Sequence, residues 1–271
     1  MASPIDPSRA LAIEYSAKAI AYAQHWSPVI RPMALPLFRD LPLSRARAVL
    51  DIGTGTGAMI PDLRAAAPEA VIIGVDRAEG MLRAARVRGR TSVAAMDAEH
   101  LGLRSSAFDV AVVVFVLFHL PDPVQSLREI SRAVRRGGSI GIVIWGRDPG
   151  LPGLPIWIEE LDREGAAPDP RDPSVMQQAQ MDSEEKLRGI VEASGLDSVR
   201  VWSVISRHQW TLEALLAVQM GCGLAARRLP TLSHEAAARC ESRVKARLSK
   251  LTEAELTHRP EVLFAVASRG A

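Results

Sequence analysis

Two kinds of hydrophobic spacing alternate through the middle of the chain. The runs "AVLDI", "AVIIGVD", "SVAAMD", "DVAVVVFV" and "SIGIVIW" are apolar almost without interruption and rich in β-branched residues. Runs of that length without polar alternation predict strands buried on both faces, as in a parallel sheet. Between them, "GAMIPDLRAAAP", "RAEGMLRAARVRG" and "DPVQSLREISRAVRRGG" carry apolar residues at helical spacing. The last is expected to run to its two glycines, because a helix C-terminus favours a residue that tolerates positive φ. Later in the chain, "DSVRVWSVIS" and "EVLFAVASR" predict two more strands. The fold expected is α/β: a Rossmann-like, doubly wound, mostly parallel seven-stranded sheet with a helical N-terminal lid and late lid insertions.

The flanks have a different texture. "SRALAIEYSAKAIAYAQHW" places Leu11, Tyr15, Ile20 and Tyr22 where one amphipathic face would lie, followed by a proline-broken stretch. After Gly146 come two turn-rich segments, "GRDPGLPGLP" and "GAAPDPRDPS". "SEEKLRGIVEASG" predicts a helix opened by Ser183 and closed by Gly195, and "WTLEALLAVQMGCGLAARRL" predicts a single apolar helix. The expected organisation is a helical lid over residues 1–45, a ligand-binding core over 46–146, and over 147–271 the remainder of the sheet with a helical substrate lid.

Composition removes several function classes. With 271 residues, 48% hydrophobic and 24% charged, the chain can bury a full core. A net charge of +2 and the lack of basic runs interleaved with aromatics argue against nucleic acid as a partner. The longest apolar run, Val110 to Phe118, is far short of the roughly 20 residues that span a bilayer. The N-terminus has acids and prolines in place of an uninterrupted apolar core, so no secretory signal is expected and the location expected is cytoplasmic. Cys222 and Cys240 are too far apart for a Cys-x-x-Cys pair and have no histidine at ligand spacing, so neither a disulfide framework nor a metal site is expected. Oligomeric state is left open, a homodimer being one reading.

The chemistry concentrates around "VLDIGTGTGA", Val49 to Ala58. A strand that turns through Gly53, Gly55 and Gly57 into a helix brings bare backbone against a ligand at the helix N-terminus. On its own this also fits the loop of dinucleotide-binding domains. Asp51, Asp76 and Asp97 stand at the ends of three successive predicted strands. Open α/β sheets place ligands at that edge, where a carboxylate can take both hydroxyls of a ribose.

Read in order, "VLDIGTGTG", "VIIGVDRAEGML", "MDAEHLGL", "FDVAVVVFVLFHLPDP" and "LREISRAVRRGG" resemble the successive motifs of class I S-adenosylmethionine-dependent methyltransferases, in the branch acting on small molecules and quinone precursors. The resemblance covers about residues 46 to 146. It implies S-adenosyl-L-methionine as cofactor and a small-molecule methyl acceptor as partner. It also implies roles: Gly53, Thr54, Gly55 and Gly57 around the methionine part, with Asp51 supporting the loop and the ammonium group. Asp76 would hold the ribose, Arg77 and Met81 would cover the adenine, and Asp97, Ala98 and Glu99 would stand at its edge. Phe115 would lie near the sulfonium. The chain departs from the family in having Arg136 where proline commonly precedes the double glycine, and Phe118-His119 where many relatives show paired histidines.

That leaves His119 as the candidate base, since imidazole is poised near neutral pH. Tyr15, Tyr22, Trp26 and His208 are candidates for the substrate wall. A nicotinamide-dependent oxidoreductase is disfavoured, because no tyrosine follows the glycine loop and no lysine lies between Lys18 and Lys186. A methyltransferase fold that uses its cofactor only structurally, steering a cyclisation or serving as a binding module, is the alternative.

Overall fold

The computed structural model describes residues 5–87, 89, 91–147 and 150–270. The N-terminal segment forms α1 (Pro7–Ala21), a π-helical turn over Tyr22–Trp26, and α2 (Ser27–Ala34). There follow β1 (Ala48–Ile52), α3 (Ile60–Ala66), β2 (Val71–Asp76), α4 (Glu79–Val87), β3 (Ser92–Ala95), β4 (Phe108–Val114), α5 (Pro123–Ala133) and β5 (Val134–Trp145). The remainder comprises α6 (Leu154–Arg163), α7 (Glu184–Ala193), β6 (Asp197–Ile205), β7 (His208–Gln209), α8 (Leu212–Gly221), α9 (Leu224–Arg228), α10 (His234–Leu248), β8 (Thr257–His258) and β9 (Glu261–Ser268).

Seven strands form one sheet in the order β3-β2-β1-β4-β5-β9-β6, and β7 pairs with β8 in a separate ribbon. The pairs among β1 to β5 are all parallel, whereas β9 runs antiparallel to both β5 and β6. The order reverses between β1 and β4, and such a switch point opens a crevice beyond the carboxyl ends of those two strands. The absence of polar alternation in the sequence has its cause here: Val49, Leu50, Val110, Ala111 and Val113 are fully buried, because both faces of the sheet are covered.

Four expectations need correction. The helix before β5 ends at Ala133, and "VRRGG" is already strand, with a register shift opposite residues 108–110 and Gly137 at φ +69° absorbing the irregularity. The single helix expected over residues 210–229 is broken into α8 and α9 at Cys222 and Gly223, where Gln219 turns its amide oxygen onto the backbone N–H of Leu224. Ile20 is 71% exposed and does not share the inward face of Leu11. Ile20 lies within the regular helix α1, nine residues from Leu11, and at about 100° per residue that spacing turns it to the opposite face, so the helical period itself directs it outward. Phe115 lies beyond β4 rather than within the strand run.

The N-terminal helix is held over the sheet edge by close packing. Gly80 in α4 has no room for a Cβ, which would run into the backbone of Ser16, and its N–H donates to Ser16 Oγ at 3.1 Å. In the later part of the chain, α6 and α10 close a smaller core of Trp157, Leu161, Cys240, Val244 and Leu248. Among the described residues no helix is long and apolar enough to cross a membrane.

Candidate active site

The loop from β1 to α3 has the backbone that its glycines permit: Gly53, Gly55 and Gly57 have φ of +65°, +55° and +71°. The three play different parts. A Cβ on Gly53 would stand 2.6 Å from Val116, so this glycine lets the loop press against the chain leaving β4. A Cβ on Gly55 would meet only the Gly53 carbonyl, at 3.9 Å, and would otherwise project into open space. Gly57 faces Ala85 of α4 and serves helix packing. Beneath the loop, Thr54 Oγ1 donates to Asp51 Oδ2 at 2.6 Å, and the N–H of Thr54 donates to the Val75 carbonyl. Asp51 is buried, and burial pushes its carboxyl up to about 7.

Beyond this loop opens a cleft at the switch point of the sheet, where open α/β folds place their ligands. Asp76, at the end of β2, crosses its floor. Its Oδ2 accepts from the N–H of Gly55 at 2.9 Å and its Oδ1 from that of Ala78 at 2.7 Å. The N–H of Arg77 also donates to this carboxylate, so backbone donors take three of its four lone-pair directions and one remains for a ligand hydroxyl. Burial raises the Asp76 carboxyl above its ordinary value, and the backbone donors pull the other way. One wall is made by Arg77, Met81, Asp97 and Ala98. Arg77 extends along the rim, with Nη2 3.2 Å from Asp6 and Nη1 3.7 Å from Asp97. The opposite end is closed by Phe115 and Val116. Phe115 adopts φ +52°, uncommon for a bulky side chain, while its ring stacks on Trp145 at 4.2 Å between centroids. Strain of this kind persists only where surrounding packing imposes it, and it clusters at functional sites.

The last wall comes from outside the strand ends. Tyr15 of α1 and His119, on the short turn after β4, both line the cleft, with Tyr15 Oη 2.9 Å from His119 Nε2. His119 Nδ1 lies 3.0 Å from the Val175 carbonyl oxygen. A carbonyl only accepts, so Nδ1 carries the proton and donates, and Nε2 accepts from the Tyr15 hydroxyl. Burial pushes His119 down to about 4, with Arg171 and Arg227 acting in the same direction. Burial pushes Tyr15 up to about 12. At neutral pH the pair is uncharged, with its hydrogen-bond direction fixed.

The cleft gathers Gly53, Gly55, Asp76, Arg77, Met81, Asp97, Ala98, Phe115, Tyr15, Tyr22 and His119. It does not gather six other residues singled out in the sequence. Asp51 and Thr54 lie under the loop and Gly57 behind it. Glu99 accepts from the N–H of Asp122 through Oε1. Trp26 lines a neighbouring pocket, stacked on Trp210. His208 sits on the two-stranded ribbon, edge-on to Trp210. Asp97, Glu99 and His100 approach within 4.8 Å of one another on the rim, but the first two already accept backbone N–H groups. Sequence reasoning missed Ser8 and Leu11 of α1, Met96, and Pro121. Leu11 was legible as part of an apolar face, whereas nothing local marks Ser8 or Pro121.

Comparison with known proteins fits this geometry. Residues 50–142 match the family model described as a methyltransferase domain. The chain is 32% identical over 131 residues to a ubiquinone/menaquinone biosynthesis C-methyltransferase of Syntrophotalea carbinolica, covering 46% of this chain and 55% of that protein. It is 38% identical over 102 residues to a malonyl-[acyl-carrier protein] O-methyltransferase of Geobacter sulfurreducens, covering 36% of this chain and 38% of that protein. The chain thus spans about half or less of the length of these relatives. Among solved structures, the YcgJ protein of Bacillus subtilis superposes with a TM-score of 0.56 at 17% identity, covering 89% of this chain and 99% of that one. This likeness concerns the fold.

Proposed function

We propose that the chain, whose residues 50–142 match a methyltransferase domain, transfers a methyl group from S-adenosylmethionine to an oxygen of a small, largely hydrophobic acceptor. The observation that carries this reading is the meeting of two half-sites in one cleft. Bare backbone and a ribose-type carboxylate come from the strand ends, and an oriented hydroxyl–imidazole pair comes from α1 and the turn after β4.

The residues present fit that donor. Gly55 leaves open the space a side chain would fill, Asp76 brings a carboxylate to the cleft with one lone-pair direction open for a ribose hydroxyl, and Met81 offers an apolar plate beside Asp97 and Ala98. When bound, the donor supplies an already activated methyl on a sulfonium, whose sulfur keeps the bonding pair as the methyl leaves. The protein's part is approach geometry and exclusion of water, effects worth roughly 7–11 kcal/mol in well-oriented systems.

Tyr15 orients the acceptor: its proton is committed to His119 Nε2, so its oxygen faces the cleft as an acceptor for a substrate O–H. An imidazole held near 4 is a weak base, but it need only act late. As the new C–O bond forms, the acceptor oxygen becomes oxonium-like and strongly acidic. The proton then passes to Tyr15 while the Tyr15 proton moves to His119. The same pair favours transfer over a purely structural use of the donor, for which an oriented proton path has no purpose.

The test is calorimetric titration of S-adenosylhomocysteine together with turnover of S-adenosylmethionine in the presence of phenolic acceptors. Tight binding by the wild type, lost in Asp76→Ala, is expected. Tyr15→Phe should bind equally well but turn over at least tenfold more slowly. Unchanged affinity in Asp76→Ala would remove this cleft from the reading.

A further inference from the structure

Tyr15 and Tyr22 have the cleft on one side and a second pocket on the other. Trp26, Lys18, Arg171 and Arg227 line that second pocket, together with one carboxylate, Glu14. We propose that this pocket is the acceptor subsite and that it selects an acceptor bearing an anionic group, seated on Arg171 and Arg227 with its apolar body against Tyr22 and Trp26. The inference rests on the methyl-transfer reading and names its substrate class.

The charge arrangement carries it. Asp169 alone holds both guanidinium groups, accepting from Arg171 Nε at 3.1 Å and Nη2 at 2.8 Å, and from Arg227 Nε at 3.1 Å and Nη2 at 2.9 Å. Those bonds draw the Asp169 carboxyl down to about 2 against the opposing effect of its burial. Glu14 is divided between Lys18 Nζ at 2.8 Å and Arg227 Nη1 at 3.5 Å. Three cations therefore share two carboxylates. Asp172 lies on an adjacent groove and accepts from Ser174 N–H, so it does not line this pocket. Among the described residues Arg171 Nη1 has no hydrogen-bond partner, and the only one of Arg227 Nη1 is the long contact to Glu14.

Arg227 is only 8% exposed, and a guanidinium withdrawn from water is costly unless its donors are filled. The planar fork of arginine suits a carboxylate, phosphate or sulfonate, all of which take paired N–H donors. Asp169 fixes the two guanidinium groups beforehand, so an anion would find them already oriented. None of these charged residues lies within residues 50–142. The preference they encode thus belongs to this chain's own lid segments, not to the shared domain.

The experiment compares matched probes by quenching of tryptophan fluorescence in protein saturated with S-adenosylhomocysteine, and again without it. 4-Hydroxybenzoate is set against 4-hydroxybenzamide, which differs by the charge; 4-hydroxybenzenesulfonate and 4-hydroxyphenyl phosphate distinguish the kinds of anion. At least one acid is expected to bind tenfold or more tightly than the amide. Arg171→Gln should abolish that ratio while leaving the affinity for S-adenosylhomocysteine unchanged, and Lys18→Met, at the outer edge, should reduce it less. Equal affinity of the acids and the amide in the wild type would overturn the proposal. So would an Arg171→Gln variant that weakens S-adenosylhomocysteine and both probe types alike, the signature of a purely structural latch. Failure of the methyl-transfer reading would look different: no binding of S-adenosylhomocysteine, with the preference for acids intact.

Discussion

Two glycines two residues apart should fail in opposite ways when replaced by alanine. Both have positive φ, so either substitution incurs the left-handed penalty of about 1–2 kcal/mol. Only Gly53 then meets an obstacle, since its Cβ would overlap the Val116 side chain at 2.6 to 2.9 Å. Overpacking of that kind adds roughly 1–3 kcal/mol, so Gly53→Ala should lose about 2–5 kcal/mol in total. At roughly 2–4 °C per kcal/mol for a chain of this size, its melting temperature should fall by about 10 °C. Gly55→Ala should fall by only a few degrees, because its Cβ enters open space. That space is where the donor is proposed to lie, so its affinity for S-adenosylhomocysteine should drop about 10- to 100-fold. Scanning calorimetry and isothermal titration on both variants provide the comparison. If Gly55→Ala bound S-adenosylhomocysteine like the wild type, the loop would not be the donor cradle. If Gly53→Ala melted within two or three degrees of the wild type, the contact with Val116 would not constrain the loop.

Two further variants report on the buried titrating groups through urea unfolding at several pH values. The unfolded chain protonates His119 below about 6.5, while the folded chain resists until about 4. Stability from this source is complete above pH 6.5 and is lost on descent towards pH 4, by about 3 kcal/mol. The advantage of the wild type over His119→Gln should shrink by that amount between pH 7 and pH 4, and a constant difference would place the imidazole in solvent. Asp51 has the opposite sign: the folded chain keeps its proton up to about 7, the unfolded chain only to about 3.8, so stability falls as pH rises between them. Asp51→Asn should therefore gain on the wild type by up to about 4 kcal/mol between pH 4 and pH 8, and no gain would show an ionised, well-solvated carboxylate.

Much of the frame was legible because each β-strand carries its own signal. A strand buried on both faces must be apolar throughout, and "VIIGVD" or "DVAVVVFV" says so without its neighbours. Asp76 was legible for a related reason: an acid that closes such a run has only the sheet edge to occupy. The boundary before β5 was not legible, because glycines suit a helix end and an irregular strand start equally well, and the pairing of Phe108 with Val134 decides between them. His119 was singled out alone, and Tyr15 as a wall residue. Their hydrogen bond spans 104 positions of sequence and exists only because α1 packs down on α4 through Gly80. Trp26 and His208 were aromatic candidates without an address: packing sets Trp26 in the neighbouring pocket proposed for the acceptor, and His208 on the two-stranded ribbon, edge-on to Trp210.

The same division by sequence distance separates the two proposed tasks of the site. The cradle for the donor is built almost wholly from consecutive strand ends, where backbone geometry is fixed by the buried sheet and a change of side chain elsewhere cannot move it. The acceptor wall is assembled from α1, the π-helical turn, the stretch near residues 169–175 and α9, joined by Asp169 and Glu14. Side chains on such segments can be exchanged without touching the sheet's hydrogen bonds, since lids and loops tolerate change that a buried strand does not. Acceptor choice can therefore drift while donor binding stays fixed. This accounts for a chain whose methyltransferase match stops at residue 142 while the charged residues that would choose its acceptor lie outside that match.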